Sequence, residues 1–201
     1  MFIDDDVTCS SNWLATIVNV LDSNPAVSGV SGPAVIPEEA KFNRDIFKHK
    51  LFKKFYDSFF CDGREYLPGH ITKSGAWTTG ASLETYDYEG EVDFLEACNM
   101  AFRRDVFNQV GGFDEIYKGC GDWSEPDICY RIKELGYKLY FHPKAKIYHN
   151  LAPLADYKVG KKQFGTRMEN YEVLSQRWIK PHWKHSLYKL FMKGYYKWKS
   201  L

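Results

Sequence analysis

Three consecutive aspartates, Asp4, Asp5 and Asp6, follow the apolar pair Phe2-Ile3. Alternate residues of a strand face one way, so Asp4 and Asp6 would share a side with Cα atoms about 6–7 Å apart. Carboxylates so close repel one another unless a cation lies between them. Their hard oxygens suit magnesium or manganese, ions that usually bridge to substrate phosphates. The plainer reading is an acidic turn ahead of a helix capped by Ser11. A second group is Ser124-Glu125-Pro126-Asp127. Glu125 would sit at a helix N-terminus, where the dipole favours an anion and a carboxylate could take a proton from a hydroxyl. Here the plainer reading is a capping box of Ser124 and Asp127, with Asp127 and Arg131 as an i, i+4 ion pair. His149, in KIYHN, could complete a metal shell. Trp123 could stack on a sugar or a base, or fill a core.

These residues need a scaffold. Phe2-Ile3 reads as a strand, and Trp13, Leu14, Ile17, Val18 and Leu21 fall on one helical face. Ala26–Val30 reads as a buried strand, and the three together predict a parallel α/β unit. Further helices are expected near Phe47–Phe60, over Arg104–Val110 ahead of Gly111-Gly112, and over Ser124–Leu135 ahead of Gly136. Strands are expected at Val92–Leu95, Lys138–Phe141 and Ile147-Tyr148. Tyr66–Gly90 reads as loop or short hairpin, and one or two helices follow a loop beginning near Leu151.

The 201 residues are 44% hydrophobic, a globular composition, and 17% aromatic. Five cysteines (Cys9, Cys61, Cys98, Cys120 and Cys129) with no CxxC spacing indicate neither a disulfide framework nor a zinc site. A reducing compartment is expected. No apolar run reaches the roughly 20 residues of a membrane span. Net charge is +1, yet every charged residue after Glu172 is basic: Arg177, Lys180, Lys184, Lys189, Lys193, Lys197 and Lys199. With Leu187, Phe191, Tyr195 and Trp198 on one helical face, such a tail suits an anionic membrane surface or is simply a solvated helix. A nucleic-acid partner is not expected.

FIDDDV, then DFLEACNMAFRRDVFNQVGGFDE, then WSEPDICYRIKELGYKLYFHPKAKIYH occur in one order. This series, running from Phe2 to His149, resembles the family-2 glycosyltransferases of the GT-A fold. The resemblance implies an α/β protein: a partial GT-A, Rossmann-like mixed sheet flanked by helices, with a C-terminal helical tail. Residues 1–160 would form the metal-binding and catalytic part of the domain and residues 161–201 the basic aromatic tail. The nucleotide-contacting front of the domain is expected to be missing, leaving a chain inactive by itself.

The resemblance further implies that Asp4 and Asp6, joined by His149, hold a divalent cation (manganese or magnesium) against the diphosphate of a nucleotide sugar. It gives catalytic positions to Glu125 and Asp127, with Glu125 in the place of the base and Asp127 more like a structural helix acid. Asp5, Glu96, Cys98, Asn99, Trp123 and Arg131 become substrate-binding candidates. The implied reaction is an inverting transfer to a hydroxyl of a glycan or lipid-linked acceptor, in the cytoplasm or at the cytoplasmic membrane face. An inactive fragment or a carbohydrate-binding scaffold is the alternative. Ser124 and Glu125 depart from the family's usual Glu-Asp pair, and Glu96 stands where many relatives have glycine.

Overall fold

The computed structural model describes residues 1–35, 50–79, 87–150 and 164–200. Its strands are β1 (Phe2–Ile3), β2 (Val7–Cys9), β3 (Val27–Ser31), β4 (Ala34–Val35), β5 (Pro68–Ile71), β6 (Trp77–Thr79), β7 (Gly90–Val92), β8 (Asn99–Phe102), β9 (Lys138–Phe141) and β10 (Ile147–His149). The helices are α1 (Trp13–Ser23), α2 (Lys50–Phe60), α3 (Arg104–Gln109), α4 (Ser124–Glu134), α5 (Phe164–Trp178) and α6 (Trp183–Ser200).

A five-stranded mixed sheet runs β1-β8-β3-β9-β7, and a three-stranded sheet runs β2-β10-β4. β3 and β9 are parallel, whereas β8 lies antiparallel to both β1 and β3. The expected β1-α1-β3 unit is therefore present in direction, since β1 and β3 point the same way. β8 is inserted between them, so the two are not neighbours. β8 itself escaped the sequence reading, because its NMAF core follows a loop and has no alternating pattern. The strand expected at Val92–Leu95 ends at Val92.

All five residues of β3 are buried, as befits a central strand. Just beyond it, Gly32 permits a close backbone approach: a Cβ there would lie 2.1 Å from the Ala145 carbonyl oxygen. Asn99 uses the same junction. Its Nδ2 donates to the carbonyls of Gly32 (2.9 Å) and Ala145 (2.8 Å), and its Oδ1 accepts from Trp13 Nε1 at 2.8 Å. One buried amide thus joins β8, α1, the end of β3 and the turn that leads into β10.

Two local expectations change. α1 starts after Asn12, with no side-chain cap, and Ser11 is not its cap. Its buried face comprises Trp13, Thr16 and Ile17, while Leu14 and Val18 are exposed. The far end of α1 is closed from outside: Arg103 Nε donates to Val27 O at 2.9 Å, and its Nη2 reaches Leu21 O. This satisfies a carbonyl that the helix leaves unpaired.

The helices after residue 163 are less detached than a tail. Tyr171 and Leu174 of α5 and Tyr188 of α6 are fully buried. Tyr56, Phe60, Tyr171, Tyr188 and Met192 form an aromatic core shared by α2, α5 and α6. Asn170 accepts from Lys118 N and donates to Lys118 O, both at 3.0 Å, and Tyr171 Oη donates to Gly75 O at 3.1 Å. Among the described residues, no helix is long and apolar enough to cross a membrane.

Candidate active site

The aspartate triplet lies in the link between β1 and β2, and so between the two sheets. β1 is fixed by rings: Phe2 packs against Phe107 at 5.3 Å and Phe113 at 5.2 Å between centroids. β2 pairs antiparallel with β10 and sets His149 opposite Val7. Asn150 N donates to Asp6 O at 2.8 Å, so the segment after β10 grips the turn directly. His149 Nε2 consequently lies 3.0 Å from Asp4 Oδ2 and 3.1 Å from Asp6 Oδ1. The ligand atoms of all three side chains fall within 4.8 Å of one another. Two residues separated by more than 140 positions are thereby brought onto one cluster. Two carboxylates and an imidazole suit manganese or magnesium, and their exposed side leaves room for phosphate oxygens. Asp5, between Asp4 and Asp6, is exposed.

A cavity of about 230 Å³ lies at the N-terminus of α4. Glu125, Glu96, Trp123, Asp122, Trp77 and Arg167 are among the residues that line it. Trp123 does not stack freely. It stands edge-on to Trp77 at 4.5 Å and packs on Tyr171 at 4.9 Å, so the aromatic core holds it as one wall. It also occupies the N-cap position of α4 with φ 78°, a left-handed conformation rare for so large a residue. The capping box expected of Ser124 and Asp127 is absent: no side chain caps this helix.

Burial pushes the Glu125 carboxyl up to about 7, with the charges of Glu96 and Asp122 adding to the shift. Cys98, just before β8, is half-buried. Burial raises its thiol pKa, and the charges of Glu96, Asp4 and Asp6 add to the shift.

The shift of Glu125 has a consequence for stability. Unfolded, a glutamate ionises near 4.5, whereas folded Glu125 keeps its proton to about 7. Between those values the native state binds more protons, so stability falls as pH rises through the window. Glu125→Gln is expected to match the parent near pH 4 and to exceed it at pH 8 by on the order of 1–3 kcal/mol. Urea unfolding at both values checks this; equal destabilisation at both would contradict it.

Asp127 has a different environment. Its side chain is 0% exposed. It accepts from Arg131 Nε at 2.9 Å, from Arg177 Nη1 at 3.1 Å and from Trp178 Nε1 at 2.8 Å. Arg177 also binds Asp114 of the GGFDE loop at 2.8 Å. Asp127 is therefore the pin between α4, α5 and that loop, with no access to a reacting hydroxyl. Asp127→Ala is expected to cost about 3 kcal/mol or more in a urea melt, because buried cationic and N–H groups lose their shared partner. A loss under about 1 kcal/mol would contradict the pin.

Two further candidates have their polar groups engaged within the fold. Asn99 is wholly buried with its amide engaged in the strand junction, so it shapes the site from behind. Arg131 is occupied by Asp127 and by the carbonyls of Val110 and Gly112. Conversely, Trp77, Asp122 and Arg167 line the cavity and were not among the sequence candidates. Arg167 comes from α5 and pairs with Asp122 Oδ2 at 3.0 Å, which also accepts from Cys120 Sγ at 2.8 Å. Asp122 adjoins Trp123 and was open to suspicion; nothing local marks Trp77 or Arg167.

No family model matches the chain. A curated protein of Haloferax volcanii, glucosyl-dolichyl phosphate glucuronosyltransferase, is 29% identical over 154 residues, covering 74% of this chain and 42% of the relative. Among solved structures, GalNAc-T7 with UDP, GalNAc and Mn2+ superimposes with a TM-score of 0.52 at 14% identity, over 98% of this chain and 38% of that one. A mannosyltransferase from Pyrobaculum calidifontis, in complex with GDP-Man and Mn2+, gives a TM-score of 0.47 at 17% identity, over 97% and 44% of the two chains. The chain thus spans less than half the length of each. It has the GT-A glycosyltransferase fold, and it is related in sequence to a glycosyltransferase.

Proposed function

We propose that the chain is the cation-binding and catalytic portion of a family-2-type glycosyltransferase that transfers a sugar, with inversion, from a nucleotide-diphosphate donor to an acceptor hydroxyl. The observation that carries this reading is the convergence of Asp4, Asp6 and His149 on one point, together with a cavity that holds a raised-pKa glutamate. Asp4, Asp6 and His149 would hold manganese or magnesium. When bound, such an ion supplies positive charge that stabilises a departing diphosphate.

The chain's own groups account for the remaining steps. Ionised Glu125 accepts the proton of the acceptor hydroxyl. The hydroxyl oxygen bonds to the anomeric carbon as the bond from that carbon to the diphosphate breaks, and the electron pair leaves with the diphosphate. A base poised near neutral pH suits this task. Trp123, pinned by Trp77 and Tyr171, offers a fixed apolar wall for a sugar ring. Glu96 supports the reading as an acceptor of sugar hydroxyl hydrogens, and Arg167 as a donor to an anionic or hydroxyl group. Asp5 and Cys98 flank the donor side. Asp127, Asn99 and Arg131 keep the walls in place.

Substrate and acceptor belong to the same proposal: a nucleotide-diphosphate sugar on one side, a glycan or lipid-linked acceptor at a membrane face on the other. The experiment is transfer from a panel of nucleotide sugars with manganese, the product's anomeric configuration being read by NMR. An α-linked donor should give a β-linked product. Retention of configuration would refute the mechanism, and donor binding without any turnover would favour a carbohydrate-binding scaffold.

A further inference from the structure

The face that α2 and α6 turn away from the aromatic core is not explained by the site. On α2, Leu51, Phe55 and Phe59 follow one another at i, i+4 and i+8 and form an outward ridge. Leu51 is 85% exposed and Phe55 53% exposed. On α6, Trp183, Leu187 and Leu190 make a second ridge, with Leu190 69% and Trp183 60% exposed. Between the ridges lies a groove of about 580 Å³, lined by side chains that include Phe55, Phe59, Leu187, Leu190, Phe191 and Tyr195. Every residue lining it is apolar, aromatic or glycine. Exposed apolar side chains scattered singly would need no comment; ridges on two helices that face one groove do.

Charge says what covers this face. Exposed Lys50 and Lys54 flank the Leu51–Phe55 ridge on the side away from the core. Lys193, on α6, is also exposed and reaches Glu172 at 3.5 Å. The one acid of α2, Asp57, lies two turns beyond Lys50 on the same helical side as the lysines, where its Oδ1 accepts from Glu65 N at 2.9 Å. Lys50, Lys54 and Lys193 therefore border the apolar centre, with Asp57 beside the first two and Glu172 beside the third. A second copy meeting this face across a two-fold axis would set lysine against lysine. An anionic bilayer surface instead matches both features: acyl chains for the ridges, with Trp183 at headgroup level, and phosphates for the lysines.

We infer that α2 and α6 together form a face that seats on an anionic phospholipid surface. The inference refines the membrane side of the proposed function, and it differs from a free basic tail, because the first ridge belongs to α2 and both helices are anchored through the aromatic core.

Flotation of the full chain with vesicles of phosphatidylcholine plus phosphatidylserine, and with phosphatidylcholine alone, tests it. The chain is expected to float with the mixed vesicles and far less with the neutral ones. Phe55→Glu with Leu190→Glu, both exposed sites, and separately Lys50→Glu with Lys54→Glu, should each lower vesicle partitioning about tenfold or more. Circular dichroism confirms that each variant is folded. Absence of flotation by the parent, or flotation unchanged in both pairs, would overturn the inference. So would a concentration-dependent dimer abolished by Leu190→Glu, which would assign the face to a second copy. Nucleotide-diphosphate binding, measured on the same samples, should be unaltered in both pairs, so loss of the membrane face and failure of the donor site are read separately.

Discussion

Glu125→Gln is expected to lower glycosyl transfer by about 10²–10⁴-fold while leaving donor affinity within about twofold. The comparison should be made in whichever form turns over, this chain alone or completed by the rest of a relative's length. The size of the effect follows from one role, removal of a proton from the attacking hydroxyl. Glutamine fills the same volume in the cavity but cannot accept that proton. The acid limb of the parent's rate profile should bend near pH 7, where burial has placed the Glu125 carboxyl. Loss of activity with an equal loss of donor binding would point to a structural role. Turnover unchanged from the parent would remove Glu125 from the chemistry altogether.

The second large effect concerns the aspartates. Manganese should raise the melting temperature of the chain, since a ligand present at about 100 times its Kd stabilises by about 2.7 kcal/mol. Asp4→Ala with Asp6→Ala should abolish that gain, and His149→Ala should reduce it. The argument is geometric. His149 Nε2 is within 3.1 Å of both carboxylates, so each substitution removes a donor from one cluster. The metal-free stability of the double variant should change little, because Asp4 and Asp6 are at the surface and repel each other. A manganese shift that survives in the double variant would place the ion elsewhere.

The acidic triplet and the α4 helix stood out in the sequence for a physical reason: each is marked by short-range chemistry, whereas a lone histidine such as His149 carries no signal of its own and was joined to the aspartates only through the family resemblance. Consecutive carboxylates, a proline in a first helical turn and a glycine stop do not depend on distant neighbours. What the sequence left ambiguous was decided by contacts distant along the chain. Asp127 was open to a catalytic or a structural reading. Only the arrival of Arg177 and Trp178 from α5 shows that its carboxylate is fully committed. Asn99 looked equally suited to a ligand until Gly32 and Ala145 claimed its amide.

The tail is the instructive case at the level of the fold. Its lysines were plain to see, but lysine spacing does not reveal which aromatic residues turn inward. Tyr171 and Tyr188 are fully buried, and they convert α5 and α6 from an appendage into a wall of the molecule. Arg167 reaches the cavity only because α5 docks there. The short β8 was missed because two of its neighbours, β1 and β3, are sequence-distant strands that impose extended structure on a segment with weak pattern of its own.

Calorimetric titration of UDP and of GDP, with and without manganese, into the parent chain and into the Asp4→Ala/Asp6→Ala variant tests the central claim most directly. The account predicts binding of at least one nucleotide that requires both manganese and the two aspartates. Binding that ignores the metal or persists in the variant, or no binding of either nucleotide by the folded parent, would contradict a diphosphate site at Asp4, Asp6 and His149.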